Sequence, residues 1–304
     1  MVKGNFGGRI SVYTLMEGEK KLLIITDARR EPLYDEISLL KAACAASVFE
    51  AADCRQPSGS LFKSVVSSMR KMAGAARISR AAGNGVGAVL AYGVSEISTA
   101  VAANLKVPCV SRSELSVNPS VNGLHRAKRH TVAQHALTIV TPTADSFTGE
   151  RITALAVARP GSRIVWRPLS VSELTLPLPE NLEVRQAQSL KAAVEESPVD
   201  WFVAFGADVA EGDVLKSLSA GVPIATDDCD LADRLLDDDC AVIFGPSPEN
   251  EGFVRGVLPF IESDFRSQSM SDSAFNRWHD QYNLEANGPL LVAEIERLIT
   301  QSRS

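Results

Sequence analysis

No stretch of this 304-residue chain approaches the run of about 18–20 apolar residues that a bilayer-crossing helix needs. The opening residues "MVKGNFGGRISVYTL" carry one lysine and no uninterrupted apolar core, so no signal peptide is expected. Cysteine is scarce: Cys44, Cys54, Cys109, Cys229 and Cys240 are scattered, odd in number and without metal-ligand spacing. Reduced thiols in a cytoplasmic protein are the simplest reading, and no metal site is expected. The chain has no Gly-x-Ser-x-Gly elbow, no Walker lysine loop and no Cys-x-x-Cys pair. Hydrolase, nucleotide-triphosphatase and thiol-redox chemistries therefore lose their usual motifs. Nor is there an excess of positive charge. Lys plus Arg number 31 against 37 Asp plus Glu, a formal charge of −6 that argues against nonspecific nucleic-acid binding by the whole chain.

What is present is an alternation of short apolar runs with amphipathic ones. A hydrophobic content of 45% supplies real cores, and the length suits two ordinary domains. "KLLIIT" (Lys21–Thr26), "GAVLAYG", "VPCVSRSE" and "LTIVTPT" read as strands. Between them "YDEISLLKAACAASVFEAA", "LFKSVVSSMRKMAGAARISRAA", "SEISTAVAANL" and "HRAKRHTVAQHA" read as helices. The second half repeats the scheme with strands "RIVWRPL", "DWFVAFG", "VPIATDD" and "AVIFGP", and helices "RQAQSLKAAVEES", "EGDVLKSLSA" and "DLADRLL". Alternating strands and helices mean parallel sheet, so the expected fold class is α/β with two Rossmann-like parallel-sheet domains facing a cleft. "PTADSFTGE" and "ARPGS" supply breaks within 143–162, giving expected domains of 1–150 and 151–304. The terminal run "NGPLLVAEIERLIT" is expected to pack back onto the body as a helix.

Four local patterns bear on function. "GNGVGA" (Gly83–Ala88) matches a dinucleotide fingerprint, yet it precedes a strand where the mechanism needs it to follow one, so it reads as a helix cap and turn. "FGGR" (Phe6–Arg9) is either a phosphate-approaching turn or a hairpin entry. His125, His130 and His135 recur at five-residue intervals, which is not one helical face; with Arg126, Lys128 and Arg129 they make a basic, solvated helix. "AVLAYGVSEISTAVAANLKVPCVS" and "WFVAFGADVAEGDVLKSLSAGVPIAT" form a weak repeat, each a strand, a glycine, a helix and a Val-Pro strand entry. In the second copy the turn at Gly206 aims backbone N–H groups at a ligand end suited to phosphate or carboxylate. Gly221 ends the helix, and Thr226, Asp227 and Asp228 fall at the next strand's carboxyl end, where α/β folds bind ligands. One of the two aspartates is expected to cap "DLADRLL".

The text "ADVAEGDVLKSLSAGVPIATDDCDLADRLLDDDCAVIFGPSPEN", followed by "SDSAFNRWHDQYN", resembles the C-terminal half of the group 1 (family 4-like) glycosyltransferases of the GT-B fold. "GAVLAYGVSEISTAVAANLKVPCVSRSE" and "RAKRHTVAQHALTIVTPTADS" are similar to that family's acceptor-side domain. The resemblance implies a GT-B-like fold and a pair of donor-holding glutamates seven residues apart. Aligned on "AGVP", these positions are Asp208 and Lys216, with Glu211 or Asp213 as substitutes for the first. A lysine reverses the charge and cannot accept a ribose hydroxyl proton. The family's glycine pair is Cys229-Asp230, its histidine is replaced by Arg112-Ser113-Glu114, and Arg167 and Arg185 stand nearest its diphosphate clamp.

The resemblance further implies transfer of a sugar from a nucleotide-sugar donor to a glycan or lipid-linked acceptor in polysaccharide or glycoconjugate assembly. The donor is a substrate, with no tightly bound cofactor and no metal. Asp208, Glu211 and Lys216 are the expected catalytic positions. Gly206, Arg167, Gly221, Thr226, Asp227 and Asp228 are expected to hold the donor. Expected partners are the nucleotide-sugar, the acceptor, and a partner transferase or a second copy, with at most peripheral contact at the inner face of a membrane. The alternatives are a GT-B-like subunit or glycan-binding protein without catalysis and, third, a nucleotide-sugar epimerase.

Overall fold

The computed structural model describes residues 10–17, 20–27, 34–43, 45–51, 75–76, 78–80, 82, 86–92, 95–124, 126, 136–171, 176–206, 209–245 and 248–301. "FGGR", Gly83 and Gly85 of "GNGVGA", most of the helix expected from Leu61, the three histidines and Asp208 lie outside them. The chain forms two compact units, residues 1–120 with 284–304, and residues 121–283.

The first unit contains β1 (Ile10–Glu17), β2 (Lys20–Asp27), α1 (Tyr34–Ala43), β3 (Ala45–Ala51), β4 (Val86–Tyr92), α2 (Ser95–Leu105) and β5 (Cys109–Ser111). Its sheet runs β3-β1-β2-β4-β5. β2, β4 and β5 are parallel, and the unbroken burial of Leu22–Ile25 and Ala88–Tyr92 is what two covered faces require. β1 pairs antiparallel with both β2 and β3, which extends the parallel core by a three-strand meander. The helix expected through Ala52 therefore ends at Ala43. Ala45–Ala51 is strand because pairing with β1 along seven residues overrides the helix preference of its alanines.

The second unit contains β6 (Leu137–Ala144), α3 (Ser146–Ala158), β7 (Ile164–Val171), β8 (Leu182–Val184), α4 (Leu190–Glu196), β9 (Trp201–Ala204), α5 (Glu211–Ser219), β10 (Ile224–Asp227), α6 (Asp230–Leu235), β11 (Ala241–Phe244), α7 (Asn250–Ile261) and α8 (Asp264–Gln281). Its six strands run β11-β10-β9-β6-β7-β8, all parallel. Trp166 and Phe202 are fully buried in this sheet. The division of the chain thus falls at Ser120, upstream of the expected 150/151 boundary. The reason is β6: "LTIVTPT", matched to the acceptor-side domain, is a central strand of the second sheet, and α3 runs through the expected boundary. The last helix, α9 (Leu284–Gln301), expected to pack back onto the body within the 151–304 domain, packs on α1, β2 and β4 of the first unit.

The repeat has a physical basis. β4-α2-β5 and β9-α5-β10 are both parallel βαβ units, and each helix ends in a left-handed residue two positions before the proline. Gly221 takes that conformation (φ 68°) without steric cost, whereas Lys106 (φ 56°) bears the Cβ penalty of about 1–2 kcal/mol.

At the carboxyl ends of the first unit's parallel strands sits a closed polar network. Glu36 in α1 is fully buried and takes both oxygens' worth of donors: Arg112 Nε (2.7 Å) and the Tyr92 hydroxyl (3.0 Å) on Oε2, Arg112 Nη2 (2.7 Å) and the Ser120 amide (2.7 Å) on Oε1. Arg112 also donates to the carbonyls of Val117 (2.8 Å) and Asn118 (2.9 Å), fixing the segment that leads out of the unit. Burial first, then the neighbouring Glu36 carboxylate, pushes the Tyr92 hydroxyl well above its ordinary value. Removing one partner of such a pair strands the other charge in a dry site. Glu36→Ala is expected to lower the unfolding free energy in urea by about 3–5 kcal/mol, and a loss under about 1 kcal/mol would contradict the network's role.

Candidate functional site

The second sheet is built outward from its middle. The chain lays down β6, then β7 and β8 on one side, and returns to place β9 on the other side of β6, followed by β10 and β11. Where the winding direction reverses, the connections leave to opposite faces and a crevice opens beyond the carboxyl ends of the two strands. That point lies between β6 and β9. It is bordered by Thr143–Thr148 on one side, and by Phe205, Gly206 and the start of α5 on the other.

On the β6 side, Asp145 is the N-cap of α3. Its Oδ1 accepts from the Thr148 amide (2.7 Å), and Oδ2 accepts from the hydroxyls of Thr143 (2.7 Å) and Thr148 (3.2 Å). Burial alone would raise the Asp145 carboxyl. The bonds from Thr143, from the amide and hydroxyl of Thr148 and from the Phe147 amide outweigh it and hold the group below its ordinary 3.8. One turn further on, Arg151 is 4% exposed. Its guanidinium lies 3.3 Å from the Phe147 ring centroid and 5.7 Å from that of Phe205, so it stands between the two borders of the crevice. Nη1 donates to the Phe147 carbonyl (2.6 Å) and Nη2 to that of Pro248. Nε is buried with no hydrogen-bond partner.

On the β9 side, Gly206 has φ +86°, with open space where a Cβ would stand. Its amide donates to Asp227 Oδ1 (3.0 Å), which ties the ends of β9 and β10 together. Thr226 is buried, and the exposed Asp228 bonds through its own amide to the Phe244 carbonyl (2.7 Å). Neither aspartate caps α6: the cap position is Cys229, without a side-chain bond. The N-cap of α5 is Ala210, whose side chain likewise makes no capping bond, and the first turn of α5 starts at the crevice. Glu211 in that turn pairs with Arg234 of α6 at 3.1 Å.

Gly206, Glu211, Thr226, Asp227 and Asp228 are thus brought together at one end of the sheet. Three other expected residues are not. Gly221 caps the far end of α5 and precedes β10, about 13 Å of strand away from Asp228; the Ser271 hydroxyl donates to its carbonyl at 2.5 Å. Lys216 sits in the last turn of α5, about 7 Å along the axis from Glu211. Arg167 lies in mid-strand opposite Val140, buried, with its guanidinium on Glu196, the Ala193 carbonyl (3.1 Å) and the Ser197 hydroxyl (3.3 Å). It braces the end of α4. Arg185 pairs on the surface with Glu183. The structure adds Thr143, Asp145, Thr148, Arg151 and Phe205. Their signal was Asp145 three residues before Thr148, followed by Ile152, Leu155 and Ala156 at helical spacing. Among the described residues no three of His, Cys, Asp and Glu converge as metal ligands.

No family model matches the chain, and no curated protein sequence matches it. Solved structures do. A glycosyltransferase from Rickettsia africae ESF-5 superposes with a TM-score of 0.53 at 7% identity, over 81% of this chain and 84% of that one. HepE from Anabaena, in complex with UDP and glucose, gives 0.49 at 10% identity over 74% and 67%. Sucrose-phosphate synthase from Thermosynechococcus elongatus gives 0.48 at 11% identity over 77% of this chain; the chain spans 62% of that enzyme. At these identities the likeness is one of fold, carried by the first match. The chain has a GT-B-like α/β fold of two Rossmann-like units.

The depressed Asp145 carboxyl makes a pH-dependent contribution. Being lower in the folded state, it stabilises the fold above the ordinary carboxyl value, and this is lost as pH falls through the folded value, to the acid side of 3.8. Asp145→Ala is expected to cost about 1 kcal/mol near neutrality in urea unfolding. The gap from the wild-type chain should close in acid below 3.8, and a gap unchanged by pH would contradict the assignment.

Proposed function

We propose that the chain is a glycosyltransferase of the group 1 type that takes a nucleotide-sugar donor and delivers the sugar to a glycan or lipid-linked acceptor. The observation that carries the reading is the start of α5, with Ala210 and no side-chain cap bond at its N-cap position, at the point where the sheet reverses its winding. Backbone N–H groups and the helix dipole favour a phosphate there, and the position is the one at which this kind of sheet takes nucleotides. The fold shared with the Rickettsia africae glycosyltransferase supports it.

In this reading the donor's diphosphate lies against the first turn of α5 and the end of β9, with Arg151 as the nearby buried cation. Asp208, Glu211, Thr226 and Asp228 offer acceptors to ribose and sugar hydroxyls. Lys216 contributes positive charge from within α5 in place of the family's glutamate. Catalysis rests on orientation of donor and acceptor and on stabilising the charge of the departing diphosphate, which fixed dipoles do without reorganisation. None of the described helices is long and apolar enough to cross a membrane.

Calorimetric titration with UDP-, GDP- and dTDP-sugars, followed by hydrogen exchange, tests the reading. Binding by one nucleotide class is expected, with protection at the ends of β6 and β9 and in the first turn of α5. Absence of binding by every nucleotide, or protection confined to the opposite end of the sheet, would overturn it.

A further inference from the structure

Asp227 does something at the crevice that neither its place in the family pattern nor the proposed activity requires. The Gly206 amide is the backbone donor that the left-handed turn after β9 presents at the ligand end, and Asp227 already occupies it at 3.0 Å. A second observation points to an anion at the same place. Arg151, nine-tenths buried, has its guanidinium 5.7 Å from the ring of Phe205, the residue next to Gly206. The described residues give Arg151 carbonyl partners at both Nη atoms but no carboxylate ion pair, and its buried Nε has no partner. The Asp145 and Glu150 carboxylates offset part of its charge, and the unpartnered Nε leaves a buried donor that a further anion would take.

We propose that Asp227 is an internal competitor for this position: its carboxylate holds the Gly206 amide until the negatively charged part of a ligand, of the chemistry of a diphosphate, takes the amide in its place. The inference rests on the ligand placement of the proposed function. Two anions cannot share one N–H donor, and at contact they repel. Asp227 is half-buried at the end of a strand, so its side chain can turn out to solvent when displaced. Open space on the Gly206 α-carbon leaves room for the incoming group. The carboxylate therefore keeps β9 and β10 tied in the unliganded chain and sets the affinity threshold for an anion.

The test is the affinity of the full chain for inorganic pyrophosphate, read by calorimetry at low salt. Asp227→Asn keeps the shape and removes the charge, and Asp227→Ala removes the acceptor as well; Asp233→Asn on α6 removes a charge elsewhere in the unit. Both Asp227 variants are expected to bind pyrophosphate about tenfold more tightly than the wild-type chain, a shift of about 1.4 kcal/mol, with Asp233→Asn changing it less than about twofold. Equal or weaker binding by the Asp227 variants, or the same gain from Asp233→Asn, would overturn the proposal. A tenfold pyrophosphate gain in a chain that binds no nucleotide-sugar would support the competitor and remove the proposed activity, so the two readings fail separately.

Discussion

The functional end of this protein depends on a constraint of chain topology. Parallel strands need a crossover, and crossovers are right-handed, so a sheet wound first to one side of β6 and then to the other sends its helices to opposite faces. The reversal opens the crevice beyond β6 and β9. It also places α3 and α5 with their N-termini toward that crevice, which is why backbone donors and helix dipoles collect there. Every side chain named at the site owes its position to that reversal.

The two units treat the carboxyl ends of their parallel strands differently. In the first, Glu36, Arg112, Tyr92 and Ser120 satisfy one another in a dry network, and each acceptor position on the Glu36 carboxylate is filled by a donor from the fold itself. In the second, polarity is left partly uncommitted. α3 is capped by Asp145 and Gly206 is held by Asp227, but α5 begins without a side-chain cap and Arg151 keeps a spare donor. Buried polar groups are costly unless bonded. At the crevice the second unit bears that cost on Arg151, and the first does not bear it at the Glu36 network.

Much of this architecture was legible in the residues. Apolar runs placed eight of the eleven described strands, and "SAGVPIATDD" located a helix end, a strand and the acids beyond it. The weak repeat proved to share even its left-handed cap, at Lys106 and Gly221. The misreadings have separate causes. Ala45–Ala51 has helix-forming composition and became strand through pairing with β1, a long-range effect without local signature. "PTADSFTGE" was read as a linker because caps and loops draw on the same Asp, Ser, Thr and Gly. Arg167 was named for its charge alone, and nothing in its neighbours announced that α4 would take it. The bond from Gly206 to Asp227 joins residues from two strands, and no periodicity records such a bond.

The central claim is that the crevice between β6 and β9 is where a nucleotide-sugar sits. A crystal structure of the chain with a bound nucleotide-sugar addresses it most directly. The account predicts diphosphate density at the first turn of α5 beside Gly206, within reach of Arg151 and with Asp227 turned away from the Gly206 amide. Nucleotide density at the Gly221 end of the sheet, or a crevice left empty by a ligand bound elsewhere on the chain, would contradict it.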